Sequence, residues 1–243
     1  MTDYEQKALA ALQVWEQEMQ RSSGLGERLA RGIQTRVNRL IPEKIHRTIT
    51  TVFKGFTEAV LTGSNFITRK PVIGLSLEER DEKARRRVKF YKNAAMAEGA
   101  ATGAGGILLG LADLPLWLTL KTKMLFDLAA LYGIDTSKRT ERVFILRVLM
   151  LGFSSRNYRK KTFEMMYSAD TEPIDWRRLQ QEYRDSIDLP KMLQLVPGIG
   201  AFVGASVNLR LTEKLGELAI QAFHKRFLER RPTTTAASHQ NNR

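Results

Sequence analysis

Apolar residues recur at every third or fourth position along most of the chain, which is the spacing of amphipathic helices. The first run places Tyr4, Ala8, Leu12, Trp15 and Met19 on one helical face. Comparable runs continue to about residue 228, and no alternating strand pattern with hairpin turns interrupts them. The pattern predicts an all-α fold: a single domain of roughly eight to ten helices over residues 1–231, followed by a disordered polar tail at 232–243.

Capping residues and breakers separate the predicted helices. Ser76 and Glu79 have the spacing of a capping box, and the helix that they begin changes from acidic to basic residues by Lys92. A Gly/Ala-rich segment follows this helix. Two further helices are expected over about 25–37 and 175–187.

Glycines mark two apolar segments of the chain. Three pairs of glycines are each four residues apart: Gly99 and Gly103, Gly106 and Gly110, and Gly200 and Gly204. On a helix this spacing puts both glycines of a pair on one face, where a second helix can approach closely. We therefore expect the two segments to pack together, either in a core or as a hairpin that enters a bilayer. The uncharged run 99–112 has 14 residues, fewer than the ~20 that a membrane-spanning helix needs.

Polar residues at the ends of these segments form the candidate ligand site. They are Glu98, Asp113, Asn208 and Arg210. Asp113 precedes Pro115, so it is either the N-cap of the next helix or a buried carboxylate paired with Lys121, Arg210 or Asn208.

The charge balance narrows the class of partner. The 39 Lys and Arg residues outnumber the 26 Asp and Glu residues, which gives a formal net charge of +13. Such a chain favours an anionic partner, either nucleic acid or a membrane surface. The absence of cysteine excludes disulfides and thiolate chemistry. The chain has only three histidines, which argues against a His-rich metal site. We expect no cofactor and no metal.

Two basic clusters are the candidate contacts with an anionic surface. In the first, Arg85, Lys89 and Lys92 share a helical face, while Asp81 and Glu82 are expected to neutralise Arg85 and Arg86 and to leave the two lysines freer. The second contributes Arg159 and Lys160. Both clusters lie beside apolar segments, which favours anionic lipid, and no helix-turn-helix or RNA-binding signature supports nucleic acid.

Several short segments occur in an order that resembles the bacterial EcsC family. They are EGAATGAGG at 98–106, ADLP at 112–115, YGID at 132–135 and PGIGAFVGASVN at 197–208, with Tyr4-Glu5, Trp15, Ile41-Pro42 and His46 before them. The resemblance covers residues 3–228 and makes the helical domain EcsC-like. The family is named after a companion of an ABC transporter, so the resemblance implies a helical bacterial protein with a link to membranes or transport. It implies no catalytic site.

Three functions follow from these observations. The first is a non-enzymatic protein at the inner face of the cytoplasmic membrane. The N-terminal MTDYEQK lacks the pattern of a signal peptide, which is why the cytoplasmic side is expected. Its partner would be anionic lipid, a membrane protein such as a transporter, or a second copy of the chain. The second is a hydrolase that uses Asp113 and Glu98. The third is a nucleic-acid-binding protein.

Overall fold

The computed structural model describes residues 1–21, 43–63, 69–103, 114–154, 156–168 and 200–230. These residues contain helices and no strand, which confirms the all-α prediction. In chain order the helices are α1 (Asp3–Gln20), α2 (Glu43–Thr62), α3 (Leu77–Gly103), α4 (Leu114–Leu131), α5 (Arg139–Phe153), α6 (Arg156–Tyr167) and α7 (Gly200–Glu229).

The described residues contain seven helices, compared with the eight to ten expected over residues 1–231. The basic helix and the first glycine pair, expected as separate elements, form one continuous α3. The reason is that residues 93–97 contain no helix breaker, and an interior glycine costs a helix only ~1 kcal/mol. The helices expected at 25–37 and 175–187, and the tail at 232–243, lie outside the described residues.

Two capping boxes fix where α1 and α3 begin. Thr2 Oγ1 accepts a hydrogen bond from the Glu5 amide at 3.2 Å, and Glu5 Oε2 accepts one from the Thr2 amide at 3.0 Å. Ser76 and Glu79 form the same reciprocal pair, with distances of 3.3 and 2.8 Å, as the sequence predicted. The hydrogen bonds from Ser76 lower the pKa of Glu79. Each box satisfies amides that have no partner within the helix.

The core is built around α4 and α5, which are buried on nearly every side. The most extensive contact between two described helices is that of α3 with α7. Lys92 pairs with Glu213, and Glu98 with Asn208, so the two helices run antiparallel.

A buried arginine joins α2 to the turn that precedes α5. Arg142 donates to the carbonyl of Leu61 from Nε at 3.1 Å and from Nη2 at 2.8 Å, and from Nη1 to the carbonyl of Thr136 at 3.3 Å. These bonds satisfy carbonyls near a helix end and in the turn, which would otherwise be unpaired.

Candidate functional site

The structure brings together two of the four predicted polar residues. Asn208 on α7 donates from Nδ2 to Glu98 Oε2 on α3 at 3.3 Å. Trp117 Nε1 on α4 donates to Asn208 Oδ1 at 3.0 Å. The buried amide of Asn208 therefore has a partner on each side, as buried polar groups generally require. The arrangement ties three helices together.

The other two predicted residues do not join this contact. Arg210 lies two positions beyond Asn208, about 200° around the helix, and is exposed. Asp113 lies outside the described residues. Lys121, one of its expected partners, is fully buried, and its Nζ lies 4.4 Å from the centre of the Trp117 ring. The predicted pairing of Asp113 with Glu98 in a hydrolase site therefore also lies outside the described residues.

Glycines do permit close helix packing, although the best-defined contacts were not predicted. Gly99 is buried in α3, Gly103 ends α3, Gly200 begins α7 and Gly204 follows within it, whereas Gly106 and Gly110 lie outside the described residues. Halfway along the α3–α7 pair, a Cβ at Gly216 would lie 2.6 Å from both γ-carbons of Val88. A Cβ at Gly152 would lie 2.5 Å from Leu215 Cδ1. These two glycines have no partner at a spacing of four, so the pattern overlooked them.

The first predicted basic face lines a groove of about 340 Å³ between α3 and α7, called the groove below. Its charged residues are Arg85, Lys89, Lys92, Glu213 and Glu217. Arg85 lies 3.9 Å from Asp81, and Arg86 lies 2.5 Å from Glu82, so both predicted neutralisations are confirmed. The expectation that Lys92 is freer is wrong, because its Nζ lies 2.5 Å from Glu213 Oε1 on α7.

The second predicted cluster lies on α6. Arg159 is half-buried, while Lys160 is exposed and lies 3.9 Å from Glu164. Both residues remain predicted contacts with an anionic surface.

A second concavity, which the sequence did not reveal, lies on the opposite side of α3. This recess of about 450 Å³ is lined by four cations and one carboxylate: Arg69, Lys70, Arg87, Lys123 and Asp127. Apolar residues complete its wall: Val72, Phe90, Ala130 and Leu131, together with Tyr91. Arg87 lies two positions after Arg85, and Tyr91 two positions after Lys89, which is about 200° around α3 in each case.

Asp127 contacts three other residues that line this recess. Its Oδ1 lies 2.7 Å from Arg69 Nε, and its Oδ2 lies 3.8 Å from Arg87 Nε. Tyr91 donates its hydroxyl proton to Oδ2 at 2.8 Å. Burial, and then the contact with Asp127, raises the pKa of Tyr91, so the phenol remains a donor at neutral pH. One sequence signal could have found the site: Lys123 and Asp127 lie four positions apart in α4, which is mostly apolar and has only one other charged residue, Lys121.

The irregular segment that forms one wall of the recess is firmly held. Arg69 donates its amide to Thr136 Oγ1 at 2.6 Å, and the Thr136 hydroxyl donates back to the Arg69 carbonyl at 2.9 Å. Val72 donates to the Ala130 carbonyl at 2.8 Å. Buried Arg80 donates to the carbonyls of Val72 at 2.9 Å and Leu75 at 3.0 Å, and to that of Leu131. The wall is therefore built by hydrogen bonds from three other parts of the fold.

A separate buried network surrounds Asp81 at the start of α3. Tyr4 donates to Asp81 Oδ2 at 2.6 Å, Tyr132 donates to Oδ1, and His224 Nδ1 lies 3.9 Å from Oδ2. Burial lowers the pKa of His224, against the opposing effect of Asp81, so this histidine is neutral near pH 7. The network connects α1, α3, the end of α4 and α7. Its role is structural, because Asp81, Tyr132 and His224 are all buried and a ligand cannot reach them from solvent.

The described residues support neither a metal site nor a membrane span. In this part of the chain, no three His, Asp or Glu side chains converge as metal ligands. None of the described helices combines the length and the apolar character needed to cross a bilayer.

Comparisons with known proteins agree with the resemblance seen in the motifs. The model of the EcsC protein family matches residues 6–228. Protein EcsC of Bacillus subtilis (strain 168) is 45% identical, over 94% of this chain and 98% of its own length. The uncharacterized protein YdbA of the same organism is 29% identical, over 91% of this chain and 92% of its own length. No solved structure matches the chain. The family match across nearly the whole helical region shows that this chain belongs to the EcsC protein family.

Proposed function

We propose that this EcsC family member is a binding protein that attaches peripherally to the inner face of an anionic membrane. The side of α3 that carries the recess would face the lipid. This orientation departs from the sequence prediction, which favoured the face of Arg85, Lys89 and Lys92.

One observation carries the proposal: exposed apolar side chains lie beside concentrated positive charge. Phe90, on the rim of the recess, is 59% exposed, and Ile73, next to the recess residue Val72, is 85% exposed. Isolated exposed apolar residues are common on soluble proteins. Here, however, they accompany four cations, and this combination suits the boundary between lipid headgroups and acyl chains.

The expected energies are sufficient for reversible attachment. Each Lys or Arg near an anionic surface contributes ~1 kcal/mol, and full burial of a Phe or Ile side chain contributes ~1.5–3 kcal/mol. Nucleic acid would use the cations but would gain little from Ile73 and Phe90. The apolar rim therefore favours lipid over nucleic acid.

Vesicle sedimentation tests the proposal. The parent should bind phosphatidylcholine vesicles that contain phosphatidylglycerol, bind pure phosphatidylcholine vesicles poorly, and lose affinity with salt because charges are screened over ~8 Å at physiological ionic strength. Phe90→Ser should weaken binding about tenfold. Val14→Ser is the matched control, because Val14 lies on α1 with a similar exposure of 57%.

Two results would contradict the proposal. Failure of the parent to bind anionic vesicles at low salt would rule out peripheral attachment. Tight binding to duplex DNA under the same conditions, with weak binding to vesicles, would make nucleic acid the partner.

A further inference from the structure

We infer that the recess around Asp127 is a specific site for one phosphomonoester group, such as a lipid headgroup that ends in phosphate. The inference rests on the proposed attachment only for the source of that phosphate. The preference for a phosphomonoester is inferred from the residues that line the recess.

The charge of the recess lining favours a phosphomonoester. Four cations and one carboxylate give the lining a formal charge of +3. A phosphomonoester carries about −1.5 to −2 at neutral pH, so it neutralises about half to two thirds of this charge. A phosphodiester carries a single negative charge and neutralises less. The groove lining, with three cations and two carboxylates, has a formal charge of only +1.

The position of the guanidinium groups is the second argument. Arg69 and Arg87 come from different elements, yet both reach the same carboxylate, at 2.7 and 3.8 Å. Asp127 therefore brings two guanidinium groups close together in the lining of the recess. Arg87 is half-exposed at 51% and holds Asp127 only loosely, so its fork of N–H donors reaches an incoming anion.

Preorganisation is the third argument. The wall that carries Arg69 is held by Thr136, Arg80 and Ala130. Little conformational entropy remains to be lost when a ligand binds to such a wall. A volume of about 450 Å³ lies within the range of ~300–1,000 Å³ that is typical of small-molecule sites.

The apolar wall indicates what the phosphate is attached to. Val72, Ala130, Leu131 and Phe90 offer no charge to an anion, but they provide a surface for the organic part of a phosphate ester. Ile73, at the same edge, extends into solvent. A phosphate joined to an apolar group fits this lining better than inorganic phosphate does.

The test compares two lipids at equal surface charge. Vesicles that contain phosphatidic acid, a phosphomonoester, and vesicles that contain phosphatidylglycerol, a phosphodiester, are adjusted to the same zeta potential. The parent should bind the phosphatidic acid vesicles about tenfold more tightly. Arg87→Gln should abolish this preference, and Arg87→Lys should restore part of it, because lysine keeps the charge but lacks the bidentate fork.

Controls separate a lost site from a lost fold. Lys54→Gln removes one exposed charge from α2, outside the recess, and should keep the preference. Thermal melting of every variant shows that it is folded. Isothermal titration with glycerol 3-phosphate and with inorganic phosphate tests soluble sources of the same group.

The results of these experiments distinguish the phosphomonoester site from membrane attachment. Equal binding to the two anionic lipids, both above neutral vesicles, overturns the phosphomonoester site and leaves membrane attachment standing. Binding of glycerol 3-phosphate that depends on Arg87, without vesicle binding, supports the site and overturns membrane attachment. If neither the vesicles nor the soluble phosphates bind, both proposals are wrong.

Discussion

The recess and the groove lie on opposite sides of the same helix, and their charges differ. Each gathers three or more cations, but the recess contains one carboxylate and the groove contains two. The periodicity of α3 correctly placed Arg85, Lys89 and Lys92 on one face. It carried no information about Glu213 and Glu217, which α7 brings to that face. A basic helical face therefore keeps a high local charge only where the neighbouring elements add cations rather than carboxylates.

The carboxylates themselves also behave differently in the two places. Asp127 is nearly buried and contacts two arginines and a tyrosine. Glu213 is partly exposed and contacts the flexible end of Lys92. The first carboxylate organises its surroundings, whereas the second mainly reduces local charge.

The free energy of unfolding should change most when the charge of one of these carboxylates is removed. Asp127→Asn should lower the free energy of unfolding by about 2–3 kcal/mol, since it removes the counter-charge that faces the partly buried Arg69. Glu213→Gln should cost less than ~1 kcal/mol, as exposed pairs generally do. Urea denaturation monitored by circular dichroism measures both. If both variants lose a similar amount of unfolding free energy, Asp127 is no more important for the recess than Glu213 is for the groove.

The next effect concerns the packing of α3 against α7 beneath the groove. Gly216→Ala brings a Cβ within 2.6 Å of Val88, and such overpacking costs ~1–3 kcal/mol. The better helix propensity of alanine offsets up to ~1 kcal/mol of this, so a net loss of about 1 kcal/mol is expected in a thermal melt.

A glycine with open space around it provides the control for that variant. A Cβ at Gly55 in α2 would have no atom of another side chain within 4 Å, so Gly55→Ala should stabilise the protein. The double variant Gly216→Ala, Val88→Ala should recover part of the loss by making room. If Gly216→Ala is as stabilising as Gly55→Ala, the two helices do not approach closely at Gly216.

A smaller effect distinguishes the two sides of α3 as binding surfaces. Arg87→Gln and Lys89→Gln each remove one exposed positive charge, from the recess side and the groove side respectively. Arg87→Gln should weaken binding to phosphatidylglycerol vesicles about fivefold, which corresponds to ~1 kcal/mol per cation at the surface. Lys89→Gln should weaken it less than twofold. The reverse order would mean that the groove faces the membrane, as the sequence suggested.

The smallest effect is a pH dependence at the end of the groove, where Arg85 contacts Asp81. His224 faces Asp81 and Arg85 of α3 and the ring of Tyr132 beyond α4, and Tyr4 of α1 donates to the same carboxylate of Asp81. Its pKa is lowered in the folded state from the ordinary 6.5, chiefly by burial. Its contribution to stability is therefore present above about pH 6.5 and is lost as pH falls through the lowered folded value.

Urea denaturation at several pH values between 7 and 5 measures this dependence. The parent should lose stability as the pH falls, and His224→Gln should lose less, because glutamine does not titrate there. Glu79 and Asp135 also have lowered pKa values, but their ordinary values are 4.5 and 3.8, so they act at lower pH. An identical slope in the parent and His224→Gln would show that His224 does not control stability in this window.

Local features were predicted well from the sequence. The capping box of Ser76 and Glu79, and the ion pairs of Arg85 and Arg86 one turn after their acidic partners, follow from helix geometry alone. The continuity of α3 through Gly99 was missed, since single glycines weaken a helix without ending it. Glu98 and Asn208 were grouped correctly because they flank two segments expected to pack, although Trp117 was not foreseen as their third partner.

The helical class, the family and the start of α3 could be predicted from the sequence, because they depend on periodicity, ordered motifs and residues a few positions apart. Which charged residues meet depends on how the helices pack, and this could not be predicted from the sequence. Lys92 lies 121 positions from Glu213, and Arg69 lies 58 positions from Asp127. Electrostatic energy depends on distance in space. The pairing of α3 with α7 therefore reduces the charge of the predicted face, and the docking of segment 69–72 on α4 creates the cationic recess opposite it.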